Sequence, residues 1–198
     1  LLNRSFKVQN SHKVLFHAAA GGVGLIAGQW LKYIGAESIG TVGSDDKIKL
    51  AKDAGYDHVI NYNKSNFVEE VERITGGIGV DVAYDSVGQA TYPHTLFCLK
   101  KFGLFVSFGQ SSGIIKDIAM GDLAKNGSLY AQRPTLFDFI SSKESLKQVS
   151  ENMFKMLAEG HVKMHINQRY ALKDVPKAFE MLMARKTTGA TVFDVGRG

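Results

Sequence analysis

The sequence predicts an α/β fold, a doubly wound six-stranded parallel sheet with helices on both faces. Short apolar runs such as Val14-Leu15-Phe16 and Leu104-Phe105-Val106 alternate with stretches of helical periodicity. Helical crossovers between successive strands make the sheet parallel. A glycine cluster, His17-Ala18-Ala19-Ala20-Gly21-Gly22-Val23-Gly24, sits where the first strand passes into the first helix.

In chain order, residues 1–9 read as a helix end or connecting segment, and the first strand runs from Val14 to Ala19. The next segment places Val23, Ile26, Ala27, Trp30, Leu31 and Ile34 on one helical face, and Gly35 ends it. Ser38 to Val42 is the second strand. Ser44 is expected to cap a helix with Asp45 and Asp46 in its first turn, where acids suit the dipole. That helix turns Ile48, Leu50 and Ala51 inward and stops at Gly55. A strand from His58 to Tyr62 follows, then a helix capped by Asn66 with Glu69, striped by Phe67, Val71 and Ile74, and ended by Gly76-Gly77. Val80 to Asp85 alternates as a strand, and Ser86-Val87-Gly88 is the turn after it. A short helix over 92–99 leads to the strand Leu104 to Phe108, and the sixth strand is Ser128 to Ala131.

Residues 12–140 therefore form a dinucleotide-binding unit. Residues 141–198 differ: a helix starting at Ser141, lined by Leu146, Val149, Met153 and Leu157, then a strand over 166–170, a helix over 175–184 and a strand over 190–195. With six strands already placed, these pieces are expected to serve another body.

The glycine cluster points to phosphate chemistry. Gly21 lets the backbone approach a diphosphate, Gly22 and Val23 open the helix whose N–H groups face it, and Gly24 lets the helix lie close on the sheet. The written pattern is A-x-G-x-x-G, with Ala19 in the first glycine's place. A tight turn that binds nothing is the other reading of such a cluster. An acid at the end of the second strand would bond the ribose 2′-hydroxyl of an unphosphorylated cofactor, but the tip is Val42-Gly43-Ser44. The Ser44 hydroxyl, the Lys47 ammonium and the N–H groups of a helix start suit a 2′-phosphate instead, so NADPH is the expected cofactor. Asp45 and Asp46 oppose this if either turns inward; as first-turn helix acids they do not.

The composition is that of a soluble globular chain of 198 residues, 44% hydrophobic and 22% charged, with a net charge of +5. No apolar run approaches the roughly 18 residues that cross a bilayer, so no membrane association is expected. Charge is scattered without basic blocks interleaved with aromatics, so no nucleic-acid partner is expected. The single cysteine, Cys98, has apolar neighbours, reads as a buried thiol and suits the cytoplasm. His161 and His165 are four apart but follow Gly160 in an extended stretch with no third ligand, so no metal site is expected. No tyrosine has lysine four residues on, which excludes a short-chain dehydrogenase pair, and the bare second-strand tip argues against a methyltransferase.

With these stretches in view, the chain resembles the zinc-independent quinone oxidoreductases of the medium-chain dehydrogenase/reductase superfamily. The resemblance covers nearly the whole chain. It rests on His17 to Gly24, Thr41-Val42-Gly43-Ser44, Val59-Ile60-Asn61-Tyr62, Tyr84-Asp85-Ser86-Val87-Gly88, Val106 to Gly113, Gly127-Ser128-Leu129-Tyr130, Arg133-Pro134-Thr135-Leu136 and Arg185-Lys186-Thr187-Thr188-Gly189. It implies a Rossmann domain whose last segment returns to a GroES-like domain preceding Leu1, reduction of a quinone by NADPH, and a homodimer through the last Rossmann strand. It places Gly43, Ser44, Lys47, Tyr62 and Arg185 around the 2′-phosphate and adenosine. Gly22 and Val23 come under the diphosphate, Ser86 on the adenosine side, and Phe108, Gly109 and Ser111 on the nicotinamide side. Tyr62 as a strand-end packing residue and Arg185 as a solvated cation remain open. No catalytic residue is named, because the implied quinone-facing tyrosines belong to the other domain. The alternatives are a non-catalytic NADPH-binding module or sensor, and a related alkenal or enone reductase.

Overall fold

The computed structural model describes residues 1–196. Strands β1 (Lys13–Phe16), β2 (Glu37–Val42), β3 (His58–Asn61), β4 (Val80–Asp85), β5 (Leu99–Ser107) and β6 (Tyr130–Gln132) pair in parallel in the order β3-β2-β1-β4-β5-β6. Between them run α1 (Gly22–Ile34), α2 (Asp46–Asp53), α3 (Phe67–Thr75), α4 (Tyr92–Thr95), which continues as a tight turn over Leu96–Cys98, and α5 (Met120–Lys125). This is the Rossmann sheet that the crossovers demanded. The chain continues through α6 (Leu136–Phe139), α7 (Lys143–Ala158), β7 (Ile166–Ala171), α8 (Val175–Met183) and β8 (Ala190–Asp194). β7 and β8 pair with each other in a separate two-stranded sheet.

The period-2 alternation of the strands divides the core. Val14 and Phe16 of β1, Val82 and Tyr84 of β4 and Val106 of β5 pack on one face beneath Ala27 and Leu31 of α1. Leu15, Ala83 and Phe105 turn to the other face, against Phe67 and Val71 of α3 and Leu96. Fully burying one large apolar side chain contributes about 1.5–3 kcal/mol, and slipping a strand by one residue would exchange the two sets. The register is therefore fixed by the core. Cys98 is buried, and that burial pushes its thiol up to about 12.

Several boundaries differ from the sequence reading for local reasons. β1 ends at Phe16 rather than Ala19, because Ala18 takes a left-handed φ of 58° and begins the turn. The N-cap of α2 is Asp45, not Ser44, and Asp45 makes no capping bond with its side chain. α7 is capped by Ser142 rather than Ser141; its hydroxyl accepts from the Ser145 N–H. Met156 is the buried residue of α7, and Leu146 is exposed. β5 begins five residues earlier than expected, at Leu99, and β6 two later, at Tyr130. The short helices α5 and α6 lack the repeat length that makes periodicity legible. Asn66 caps α3 as read, accepting from the Val68 N–H and donating to Glu69 at 2.9 Å.

α1 sits unusually close to the strand before it. A Cβ at Gly24 would lie 2.3 Å from the Ala18 carbonyl oxygen and 2.6 Å from that of Ala19. Both obstacles are backbone and cannot swing away, so Gly24→Ala should destabilise the fold by about 1–3 kcal/mol. Urea unfolding of both proteins, at unchanged slope, measures it.

His17 follows β1 and is fully buried, bonded to Thr41 and Thr95 at 2.9 Å each. Desolvation holds its pKa below the ordinary 6.5, partly offset by the Asp85 carboxylate. The unfolded chain binds a proton that the folded chain resists. Stability is thus whole above pH 6.5 and falls as the pH drops below it. The expected slope is up to about 1.4 kcal/mol per pH unit. Unfolding free energies measured across that range should show it, with a flatter slope in His17→Gln.

Candidate functional site

β1 lies between β2 and β4, and the chain leaves it in opposite directions on its two sides. A crevice must open there, over the carboxyl ends of the strands. It is a cavity of about 630 Å³. The first bond within α1 runs from the Leu25 N–H to the Gly21 carbonyl at 2.9 Å. The N–H groups of Gly22, Val23 and Gly24 therefore have no acceptor in their own helix, and the positive end of the helix dipole adds to them. Such an end can hold a diphosphate. No acidic residue stands in the first turn of α1 to compete for it.

Of the residues selected from the sequence, Gly21, Gly43, Ser44, Lys47, Tyr62, Ser111 and Arg185 line this one cavity. Gly22 and Val23 form the first turn of α1 at its edge, with Val23 exposed. Ser86, Phe108 and Gly109 stand at the ends of β4 and β5, off the cavity wall. The Phe108 ring instead packs on Phe16, centroids 5.5 Å apart.

The β2 tip brings the polar groups together. A Cβ at Gly43 would lie 2.7 Å from the Tyr62 hydroxyl, so glycine is what lets that phenol reach the cavity. The Tyr62 ring also packs against the core, as the packing reading of this residue expected, while it lines the cavity. The Lys47 ammonium donates to the Arg185 carbonyl at 2.6 Å. Asp45 is diverted: Lys64 pairs with one of its oxygens, and the Asn61 amide donates to the other at 2.7 Å. Those two bonds, Lys64 first, hold its carboxyl below the usual range. Asp46, expected as a first-turn helix acid to stay clear, does line the cavity, because its place at the start of α2 is itself at the cavity's edge. It shares that wall with three cationic residues, Lys47, Arg185 and Lys186.

A strap after α8 closes the near side. Its Gly189 N–H donates to the Ala20 carbonyl at 3.1 Å, and Gly189 bridges Gly21. A Cβ at Gly22 would lie 3.2 Å from the Gly189 carbonyl oxygen. The glycine loop and the strap fit because both are bare. Lys186 and Thr187 of this strap line the cavity and were passed over in the sequence, although they stand in the same closing motif as Arg185. Asn63 and Val87 also line it without having been singled out as site residues.

Residues 22–159 match the family model described as zinc-binding dehydrogenase. The chain belongs to that family. It carries the family's nucleotide-binding part, within the medium-chain dehydrogenase/reductase superfamily. The chain is 48% identical over 194 residues to the quinone oxidoreductase of Salmonella typhimurium, an alignment covering 97% of this chain and 59% of that protein. The crystal structure of Escherichia coli quinone oxidoreductase complexed with NADPH superposes with a TM-score of 0.94 at 44% identity, over 97% of this chain and 60% of that one. A 2-haloacrylate reductase from Burkholderia is 36% identical over 193 residues, covering 97% of this chain and 58% of that protein. The chain thus spans less than two thirds of the length of the relatives it matches.

The family name raises zinc. Among the described residues no group of three or more His, Cys, Asp and Glu side chains is placed to hold a metal ion. His161 instead stacks on Tyr33, centroids 4.2 Å apart, with Glu159 at 3.5 Å. The residues described do not fit a zinc site. No helix among the described residues is long and apolar enough to cross a membrane.

Proposed function

We propose that this chain binds NADPH in the β1–α1 crevice and serves a quinone reductase. The β2 tip carries the proposal. It offers Ser44, Lys47, Arg185 and Lys186 where a ribose-binding acid would stand in a site for the unphosphorylated cofactor, and Asp45 is turned onto Lys64. Charge-assisted bonds of about 1.5–3 kcal/mol each favour a 2′-phosphate there. Asp46 subtracts from that field without cancelling three cations. The E. coli relative, whose crystal structure is a complex with NADPH, supports the same cofactor.

In this reading Gly43, Ser44, Lys47, Tyr62 and Arg185 hold the 2′-phosphate and adenosine. Gly21, Gly22 and Val23 hold the diphosphate. Ser86, expected on the adenosine side, is moved in this reading to the nicotinamide side, because its carbonyl accepts from the Ser111 N–H at 3.1 Å. Phe108, Gly109 and Ser111 border the nicotinamide. When bound, the cofactor supplies a hydride. The chain's own residues bind and orient, since a quinone's oxygens take protons from solvent and positioning is what the step needs.

A second reading, an enone or haloacrylate reductase, is favoured by the Burkholderia relative. Residues 12–140 are assigned to the dinucleotide-binding unit. Residues 141–198 are assigned to a segment that closes the crevice with its strap and gives β7 and β8 to another body. A homodimer through β6 is part of the proposal: β6 is the sheet's edge, and its Tyr130 is exposed. A cytoplasmic location fits the single buried thiol of Cys98.

Calorimetry of this chain with NADPH and NADH tests the cofactor. NADPH should bind at least about tenfold more tightly, and equal affinities would remove the phosphate site. Lys47→Glu should weaken NADPH by about 10²-fold while changing NADH by less than about threefold; parallel weakening would take Lys47 out of that site. Oxidation of NADPH by 1,4-benzoquinone, and its absence with a haloacrylate, in the full-length protein separates the two readings.

A further inference from the structure

The segments that follow β4 and β5 are clasped together. The Phe108 N–H donates to the Asp85 carbonyl at 2.8 Å, Ser111 N–H to Ser86 at 3.1 Å, Ser112 N–H to Val87 at 2.8 Å and Gln89 N–H to Gly113 at 3.1 Å. A Cβ at Gly109 would strike the Ser86 carbonyl oxygen at 2.6 Å. Val87 and Ser111, one from each segment, line the crevice on the side away from the β2 tip.

Beneath this clasp lies a fully buried carboxylate. Asp85 Oδ1 accepts from the N–H groups of Val87 at 2.6 Å and Gly88 at 3.0 Å, and Oδ2 accepts from the Thr91 hydroxyl at 2.6 Å. The neighbouring hydroxyl, Thr95, gives its one proton to the Thr91 carbonyl at 2.8 Å. It must then accept from His17, which puts the imidazole proton on Nε2. Nδ1 is left as an acceptor, filled by the Thr41 hydroxyl of β2 at 2.9 Å. One satisfied polar chain therefore runs under the crevice from the β4 turn, through α4 and β1, to β2.

We propose that Asp85 is a positioning residue for the nicotinamide-side wall, held in place through Thr91, Thr95 and His17. The proposal rests on reading the crevice as a dinucleotide site. Asp85 fixes Val87 and Gly88 by their N–H groups, and the clasp carries that constraint to Gly109 and Ser111. An amide at position 85 carries no charge, so the bonds from Val87 and Gly88 lose their charge assistance. The Thr91 bond reverses, its hydroxyl accepting from the amide and turning its own proton to the Gly88 carbonyl 3.1 Å away, and the turn's anchor to α4 is weakened. The 2′-phosphate end, at the far side of β1, is untouched.

The test uses this chain and two ligands. One is NADPH; the other is adenosine 2′,5′-bisphosphate, which has the 2′-phosphate half and no nicotinamide. Calorimetric affinities and the fluorescence of bound dihydronicotinamide are measured for the unsubstituted chain, Asp85→Asn, Thr91→Val and Thr91→Ser. Asp85→Asn and Thr91→Val should weaken NADPH about tenfold and lose the emission change, while bisphosphate affinity stays within about twofold. Thr91→Ser keeps the hydroxyl and should retain both. Equal loss for the two ligands would show a merely structural carboxylate and overturn the proposal. So would unchanged NADPH binding, or an unsubstituted chain that binds NADPH no better than the bisphosphate and without an emission change. If circular dichroism shows Asp85→Asn unfolded, the Thr91 pair decides. Failure of the folded, unsubstituted chain to bind either ligand would instead overturn the dinucleotide reading itself.

Discussion

Everything at the crevice depends on how closely α1 is seated on the chain that precedes it. One glycine sets that distance directly, and two more let the neighbouring Tyr56 ring and β2 close in around it. Gly24 faces the carbonyls of Ala18 and Ala19, Gly28 faces the Tyr56 ring, and Gly40 faces the Ala19 methyl, each where a Cβ would come within 2.7 Å. Tyr56 then donates to the Gly24 carbonyl at 2.9 Å from a fully desolvated hydroxyl, whose proton burial holds well above its ordinary pKa. The turn that makes the approach possible carries strain: Ala18 has a φ of 58°, a conformation that costs a residue with a Cβ about 1–2 kcal/mol. The cost is offset by what the seating provides, a helix start whose N–H groups open onto the strand ends instead of onto another element.

Charge then decides what that helix start holds. A bare N-terminus attracts any anion, and in the proposed reading selectivity among dinucleotides is set some distance away, at the β2 tip. Two neighbouring acids there have opposite fates. Asp45 is drawn to β3's end by Asn61 and Lys64, and Asp46 stays on the cavity wall. The strap brings Arg185 and Lys186 from the far end of the chain to face it, and the bond from Lys47 to the Arg185 carbonyl ties strap to α2. The cationic balance is therefore a tertiary property, assembled from segments separated by 138 positions.

This division explains what the sequence disclosed. The strands, the helix periodicities and the glycine loop are local patterns of chemistry, and they were legible: α1 begins at Gly22 and ends at Gly35, and Asn66 caps α3. Caps failed where two candidates stood side by side, as Ser44 beside Asp45 and Ser141 beside Ser142, since the choice turns on backbone angles that no residue name records. Lys186 and Thr187 sat in a quoted motif but lacked a local partner to mark them. The Thr41 and Thr95 partners of His17, and the Asp85 charge near it, were invisible for a plainer reason. A histidine at the end of an apolar strand looks like part of the glycine motif until residues 78 positions away are folded onto it.

That buried polar chain raises the question of why a core would carry it. Apolar side chains of the same volume would pack as well, and replacing buried charges by them is often neutral or stabilising. Dispersion and the hydrophobic effect, however, have no direction, and a turn of Ser86-Val87-Gly88 resting on apolar atoms would have several arrangements of similar energy. A carboxylate with three donors aimed at it has one. The same holds at His17, where two hydroxyls fix the ring's tautomer and an unmade bond in the interior would cost about 1–3 kcal/mol. Each member is fully satisfied, so the chain escapes the penalty of a half-made network while keeping its geometric demand. The polar groups lie where the β4 turn meets the wall of the crevice, which is where a single backbone arrangement matters more than the last increment of stability.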